Sequence, residues 1–261
     1  MQFVCRALAL LALVLAPCAF ASSFSASYVV HMSVDAAKAN PPNATERTFV
    51  QGAAMLGLFE VGSITDTGSL AGGVFKLDSV GVGSRALRTL IPDDRLETRR
   101  SSEGVIRDGH LVTLRFSDKR GSSALLTYSA DLAAKRYELR RGGKVTETGP
   151  LKYSNVDIAA LPYLFLGRPA PTAPFAVAYT DGKSVRLVGF RPARDSLTVA
   201  GTTVAATRLA SAGNNPADPR IEIWLRNEDS FPLRVRVSMS AQYGAMADQQ
   251  IKALPPLFRP G

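Results

Sequence analysis

The chain has only two cysteines, and both stand near its start, at Cys5 and Cys18. It opens Met1-Gln2-Phe3-Val4-Cys5-Arg6. An apolar run then leads from Ala7 through Val14 to Phe20, and Ala19-Phe20-Ala21 precedes Ser22. A positive start, a short apolar stretch and an Ala-x-Ala end predict a secretory signal peptide over residues 1–21, too short and wrongly flanked for a membrane anchor. Cleavage after Ala21 leaves no cysteine, which excludes disulfides, thiolate catalysis and cysteine metal ligands in the exported protein. Lipidation at Cys18 is a competing reading, since Leu15-Ala16-Pro17-Cys18 has the outline of a bacterial lipobox. Pro17 weighs against it, because a proline fixes φ and restricts its neighbour where a peptidase needs an extended substrate. The expected location is the periplasm.

Histidine is equally scarce. His31 and His110 are far apart in sequence, with no His-Glu-x-x-His and no second ligand at a metal spacing, so no zinc pattern is present. A Gly-x-Ser-x-Gly elbow is also missing. Gly81-Val82-Gly83-Ser84 lacks the downstream glycine and helix that would cradle a phosphate, and it reads as the end of a strand. Asp93, Asp94 and Glu97 cluster after Pro92 and suggest a paired-carboxylate hydrolase. They alternate with Arg95, Arg99 and Arg100, the pattern of a solvated charged loop. No catalytic residue, cofactor site or metal site is assigned, and the expectation is a protein that is not an enzyme.

Long apolar runs are absent after residue 21. No later stretch approaches the roughly twenty residues that span a bilayer, and no low-complexity segment appears. Charge of one sign is in excess: 31 Lys and Arg face 22 Asp and Glu, a net +9, or +8 once Arg6 is removed. From Arg85 to Lys144 there are 14 basic and 8 acidic residues, so most of the excess sits there. Export argues against nucleic acid as a partner, and the aromatic-plus-basic signature of an RNA-binding strand is missing. A solvated sheet face, or contact with anionic envelope surfaces, suits the pattern better.

What is present is alternation. Leu233-Arg234-Val235-Arg236-Val237-Ser238-Met239-Ser240 alternates for eight residues, the mark of a strand with one buried and one wet face. Arg136–Arg140 and Ile221–Arg226 do the same, with Trp224 on the polar side. Less regular strands read at Phe24–Met32, Gly73–Val82, Leu111–Phe116, Ala124–Tyr128, Ser184–Phe190, Ser196–Val199 and Thr203–Leu209. Asp108-Gly109, Gly142-Gly143, Asp181-Gly182 and Ala200-Gly201 are hairpin turns between them. Successive hairpins build an antiparallel meander, so the chain is all-β.

Two short helices are expected, at Arg85–Leu90 and at Asn155–Ala160. The second would be capped by Ser154 or Asn155 and ended by Pro162. Four prolines (162, 169, 171, 174) interleaved with Tyr163, Leu164 and Phe165 mark a crossover that packs on the sheet. Asn214–Pro219 reads as a polar loop. One domain over residues 22–250 and a loose proline-rich tail over 251–261 complete the plan.

The order of strands and turns resembles the bacterial exported "domain of unknown function 3108" family. The resemblance rests on Ser84–Arg100 before Gly104-Val105-Ile106-Arg107-Asp108-Gly109-His110-Leu111, on Asp157–Tyr163, and on Val199-Ala200-Gly201-Thr202. It also rests on Ile221–Leu225 followed by Phe231-Pro232-Leu233-Arg234-Val235. It spans about Ser25 to Ala247, with a longer proline-bearing insertion between Asp35 and Thr48. The resemblance implies an envelope protein with a strongly curved antiparallel sheet, a half barrel similar to the lipoprotein-carrier proteins. In those proteins the concave face holds acyl chains beneath a helical lid. The family has no established activity, so no functional residue is carried over.

A curved sheet with one apolar face leaves a greasy trough that helix, loop or ligand must cover. Acyl binding needs no special side chains: at about 0.8 kcal/mol per buried CH₂, ten methylenes give on the order of 8 kcal/mol, near micromolar before ordering costs. The expectation is therefore a non-enzymatic periplasmic protein binding a lipid or other apolar envelope molecule. Alternation nominates Phe116, Tyr128, Leu139, Ile223, Val235 and Val237 for the inner face, with Tyr163, Leu164 and Phe165 as cover. One alternative is a structural or interaction module whose core is filled by its own side chains. The other is a cell-wall glycan hydrolase using carboxylates such as Asp93 and Glu97.

Overall fold

In a computed structural model of the chain, the described residues are 22–41, 43–85, 96–151, 155–212, 220–240 and 244–260. The first half runs β1 (Ser22–Val34), α1 (Ala44–Met55), β2 (Phe59–Ala71), β3 (Val74–Gly83) and β4 (Glu97–Arg107). It continues with β5 (His110–Arg120), β6 (Leu126–Asp131), β7 (Arg136–Arg141) and β8 (Lys144–Pro150). The second half is β9 (Asn155–Asp157), a 3-10 turn (Leu161–Tyr163), β10 (Phe175–Thr180), β11 (Val185–Val199) and β12 (Thr202–Ala212). β13 (Ile221–Arg226), β14 (Pro232–Ser240) and β15 (Ala245–Ile251) follow.

All fifteen strands share one sheet, in the order β8-β7-β6-β5-β4-β3-β2-β1-β15-β14-β13-β12-β11-β10-β9. Two meanders therefore meet where β1 pairs with β15. The sheet is open, and its two edges, β8 and β9, are consecutive in sequence. Laid flat, those edges would be roughly 67 Å apart at about 4.8 Å per strand spacing. Only residues 151–154 join them, and that link reaches about 17 Å at most. The sheet has to curl round on itself, and it does: the all-β, strongly curved fold expected from the sequence is the one observed. Register shifts at Val30/His31, Glu103/Gly104, Leu139/Arg140 and Trp224/Leu225 add local bends.

The hairpins follow their turn chemistry. Asp108 and Gly109 both take positive φ (50° and 73°), as do Ala200 and Gly201 (47° and 82°), giving tight two-residue connections.

The short elements depart from expectation in three places. The helix expected at Asn155–Ala160 is instead the short strand β9, paired in parallel with β10, followed by a turn. The cause is Asp157, whose Oδ1 accepts the backbone N–H groups of Ala159 and Ala160 at 2.9 and 3.0 Å. This local bonding competes with a helix. Asn155, the expected cap, donates to the Tyr128 hydroxyl at 3.2 Å.

A helix does form at α1, beginning within the insertion and running past it to Met55. Asn43 Oδ1 accepts from Glu46 N at 2.9 Å while Asn43 Nδ2 donates to Glu46 Oε1 at 3.1 Å, a reciprocal N-cap. Gly57 at φ 66° terminates it. The other expected helix, Arg85–Leu90, and the Asn214–Pro219 loop lie outside the described residues, apart from Arg85 itself.

The tail is pinned rather than loose. Arg226 pairs bidentately with Asp229 and donates to the carbonyls of Pro255 and Pro256 at 2.8 and 3.0 Å. Asp229 also accepts from Phe258 N at 2.7 Å. Phe258 is buried against Phe24, ring centroids 5.9 Å apart.

Candidate functional site

Directly opposed residues of antiparallel strands share a face, so the register fixes the inner surface row by row. One row is Phe24, Gly68, Leu77, Ser102, Phe116, Tyr128 and Leu139, from β1 through β2–β7. The next is Ala26, Asp66, Ser79, Arg100, Asp118 and Leu126. The third is Tyr28, Ile64, Gly81, Thr98 and Arg120. A fourth runs the other way from Gly62 to Val30, Gln249, Val235, Ile223 and Leu209.

The crossover fills the first row. Tyr163 stacks on Phe24 with centroids 4.9 Å apart and lies 6.0–6.2 Å from the Phe231 and Phe75 rings. Leu161, Leu164 and Leu166 are buried in the same core, and Phe165 packs against it, edge-on to Phe175 at 5.1 Å. Two carboxylates fasten this segment. Asp157 Oδ2 accepts from Ser102 and Thr113 at 2.5 and 2.7 Å. Asp66 Oδ2 accepts from the Tyr163 hydroxyl at 2.8 Å, and Tyr163 in turn meets Tyr28 at 3.1 Å. Burial pushes both carboxyls above the ordinary aspartate value of 3.8, against the opposing effect of these hydroxyl donors. Burial likewise raises the Tyr28 and Tyr163 phenols well above normal and the Tyr128 phenol to about 12.

The second row is polar across four strands. Arg100 Nε approaches Asp118 Oδ2 at 3.5 Å, and Arg120 Nη2 approaches the same oxygen at 2.7 Å. Three buried atoms of this row make no hydrogen bond: Asp66 Oδ1, Arg100 Nε and Asp118 Oδ1.

The third and fourth rows are packed less tightly. Tyr28, Gly62, Ile223 and Leu209 are buried, but Val30, Ile64, Gly81, Thr98, Gln249 and Val235 are each half-buried. Val237, opposite Ile221 and Ala247, is half-buried too. A Cβ placed on Gly81 would sit in ordinary contact with its row neighbours, 3.5 Å from Thr98 Cβ and 3.6 Å from Ile64 Cγ1.

The six residues nominated from alternation thus divide. Phe116, Tyr128, Leu139 and Ile223 are buried within the chain's own core, the first three in the row lined by the crossover. Val235 and Val237 keep partial access. The nominated cover residues Tyr163 and Leu164 are buried, and Phe165 is partly so. Asp66, Asp118 and Arg120 were missed by sequence reading, and Arg100, read there as part of a solvated charged loop, stands instead in strand β4 beside buried Asp118. Alternation does put Asp66 in phase with Ile64 and Gly68, but their alignment on neighbouring strands exists only in the register.

The outer face carries charge. The guanidinium carbons of Arg234 and Arg236 lie over the Trp224 ring, 5.0 and 5.4 Å from its centroid, and Trp224 Nε1 donates to Asp195 at 2.8 Å. A cavity of about 490 Å³ opens on the same face over β3–β7, floored by Ser101, Ser117 and Thr127 and rimmed by Lys76, Asp78, Glu103, Arg115 and Arg140. Glu97 is solvent-exposed in its side chain and pairs with Arg99 at 2.5 Å. Asp93 and Asp94 lie outside the described residues. His110 is exposed at a hairpin, and His31 lies opposite Glu60 and Asp248. Among the described residues, no three His, Cys, Asp or Glu side chains gather as a metal site, and no helix is long and apolar enough to cross a membrane.

No family model matches the chain, and no curated protein matches it. Among solved structures it is similar to a β-barrel-like protein of domain of unknown function DUF1849 from Brucella abortus. The TM-score is 0.47 at 8% identity, over 90% of this chain and 98% of that one.

Proposed function

We propose that this chain is a non-enzymatic periplasmic protein of the bacterial envelope, binding the apolar part of a lipid or similar molecule on its inner face. The observation that carries this reading is the uneven filling of that face. At the Phe24 row the crossover packs into the buried core, with Tyr163 stacked on Phe24. In the neighbouring rows the apolar side chains of Val30, Ile64, Val235 and Val237 remain half-buried. Apolar surface on a concave face is usually covered by something.

The self-filled structural module is the second reading, and the buried crossover supports it. A glycan hydrolase draws less support. Asp78 and Glu103 share the outer cavity, but Asp78 is exposed and Glu103 keeps 41% of its side chain accessible, opposite Arg115 at 3.9 Å. A general acid needs burial to hold its proton.

The test is native mass spectrometry of protein purified gently from a Gram-negative periplasm, followed by organic extraction. A co-purifying acyl species, lost on Val235→Asp, supports carriage. A clean apo mass with no uptake of added fatty acid overturns it and leaves the structural module.

A further inference from the structure

At the C-terminal end of α1, three large apolar side chains stand in solvent close together in sequence. Met55 is 89% exposed, Leu56 67% and Leu58 56%. No charged residue occurs from Thr48 to Phe59. The amides of Leu56 and Gly57 donate to the Ala53 and Ala54 carbonyls at 3.2 Å, which holds this tip in a closed turn. A contiguous apolar cluster, unlike a lone exposed leucine, marks a contact surface.

The tip shares one rim of the sheet with the basic residues that the sequence concentrates over 85–144. Register pairs follow that rim from Met32–Phe59 through Gly62–Gly83, Val82–Glu97 and Thr98–Arg120 to Asp118–Leu126 and Arg141–Lys144. Arg47 on α1, Arg85 after β3, and Arg141 and Lys144 at the β7–β8 turn are exposed and make no ion pair among the described residues. Of the described carboxylates nearby, Asp35 is paired with Lys38 and Glu97 with Arg99. Glu46 is held by Asn43, and Glu60 stands opposite His31. Leu125 and Val145, 42% and 49% exposed, add apolar surface beside the β7–β8 turn.

We infer that this rim docks on a bilayer containing anionic lipid. Met55, Leu56 and Leu58 enter the headgroup region, and the unpaired arginines and lysine meet lipid phosphate. Apolar insertion and attraction to anionic lipid act together at such a surface. A second copy of the chain fits less well, because it would set the same positive rim against itself. So small a tip also falls far short of the roughly 800 Å² per partner that a stable dimer buries. None of these residues is among those proposed above to bind an apolar chain, so the two sites hold or fail independently.

The test is flotation of the protein over residues 22–261 with vesicles of phosphatidylcholine alone, or of phosphatidylcholine with an equal part of phosphatidylglycerol. The mixed vesicles should bind it, the neutral ones much less, and added salt should weaken the binding. Leu56→Glu with Leu58→Glu, at exposed positions where circular dichroism should be unchanged, should lower partition about tenfold or more. Arg141→Gln with Lys144→Gln should lower it about fivefold per charge. Val235→Asp, which tests the inner face, should leave vesicle binding as it is, and a parallel loss there overturns the rim as the contact. No binding to mixed vesicles, or binding that the double glutamate variant does not weaken, overturns the docking rim. Dimerisation in sedimentation that the same variant abolishes, with no vesicle binding, overturns it too and gives the tip to a second copy.

Discussion

The hydroxyl of Tyr163 donates to Asp66 Oδ2 at 2.8 Å, tying the crossover to β2 across 97 residues of sequence. Asp66 is buried and its other oxygen has no partner, so this bond and one from the Ser79 side chain are what compensate its burial. Tyr163→Phe removes one and strands the carboxyl further. The expected loss is about 1–3 kcal/mol, the cost of an unsatisfied buried group, read as a lower urea midpoint. Tyr28→Phe keeps the Tyr163–Asp66 bond and should cost less, about 1 kcal/mol, since only the bond to the Pro232 carbonyl and a Tyr163 contact disappear. Equal effects for the two variants would remove Asp66 from its role in fastening the crossover.

The same carboxyl makes stability depend on pH in a definite direction. Burial raises Asp66 above its ordinary 3.8. A raised carboxyl adds stability that is complete below 3.8 and is lost as pH rises through the folded value, because the unfolded chain ionises first. Asp157, raised by burial as well, acts in the same sense. Asp66→Asn retains an acceptor for Tyr163 but cannot ionise. Its unfolding free energy should therefore decline less than the wild type's as pH is raised from the ordinary carboxyl range towards neutrality. Parallel profiles would show that Asp66 does not titrate differently in the folded protein.

These two predictions also mark where sequence reading stops. Strands and hairpins were legible, because alternation and pairs such as Asp108-Gly109 act locally. So was Trp224 on the polar side of its strand, where it is buried under Arg234 and Arg236. The crossover's packing could be anticipated from its apolar content. Asp157's place in the core could not, because its other oxygen is held by Ser102 and Thr113, on strands that fold against it from 55 and 44 residues away. The α1 helix had a local signal, Asn43 three residues before Glu46, but its core-facing pattern is weak and Pro41-Pro42 mark the stretch as a proline-bearing insertion. The Asp66–Asp118 row is a property of register, which no single strand contains.

The tail illustrates the same limit, and it gives a third prediction. Prolines at 255, 256 and 260 prevent a regular element, yet Arg226 and Asp229 bind the backbone there without needing one. Deleting residues 252–261 withdraws Phe258 from Phe24 and removes three hydrogen bonds from the Arg226–Asp229 pair. The expected cost is roughly 3–5 kcal/mol, the range for losing a buried phenylalanine. Phe258→Ala alone should recover part of it by keeping the backbone contacts. Hydrogen exchange should quicken first at Gly167, whose N–H donates to the Asp229 carbonyl. An unchanged urea midpoint on deletion would mean the tail is not part of the stable fold.

The last prediction concerns the outer face, where the sole tryptophan reports on its own surroundings. Arg234 pairs with Asp248 through two nitrogens and stacks on Trp224. Asp248 is buried, which by itself raises its carboxyl, but Arg234 and then Arg236 outweigh that and hold it below 3.8. Its stabilisation is therefore present above 3.8 and is lost as pH falls through the lower folded value, opposite in sense to Asp66. Arg234→Met leaves Asp248 with Arg236 at 3.3 Å and Gln250 at 3.5 Å. Breaking one side of a buried pair costs about 3–5 kcal/mol, and the remaining arginine should hold the loss near the lower figure. Trp224 fluorescence should follow the transition, with altered native emission because one of its two guanidinium neighbours is gone. Arg234→Met combined with Asp248→Leu removes both charges and should recover most of the loss, since a buried pair exchanged for apolar groups is often neutral. If the double variant is as unstable as the single one, packing of the arginine stem on Trp224, rather than the ion pair, is what Arg234 contributes.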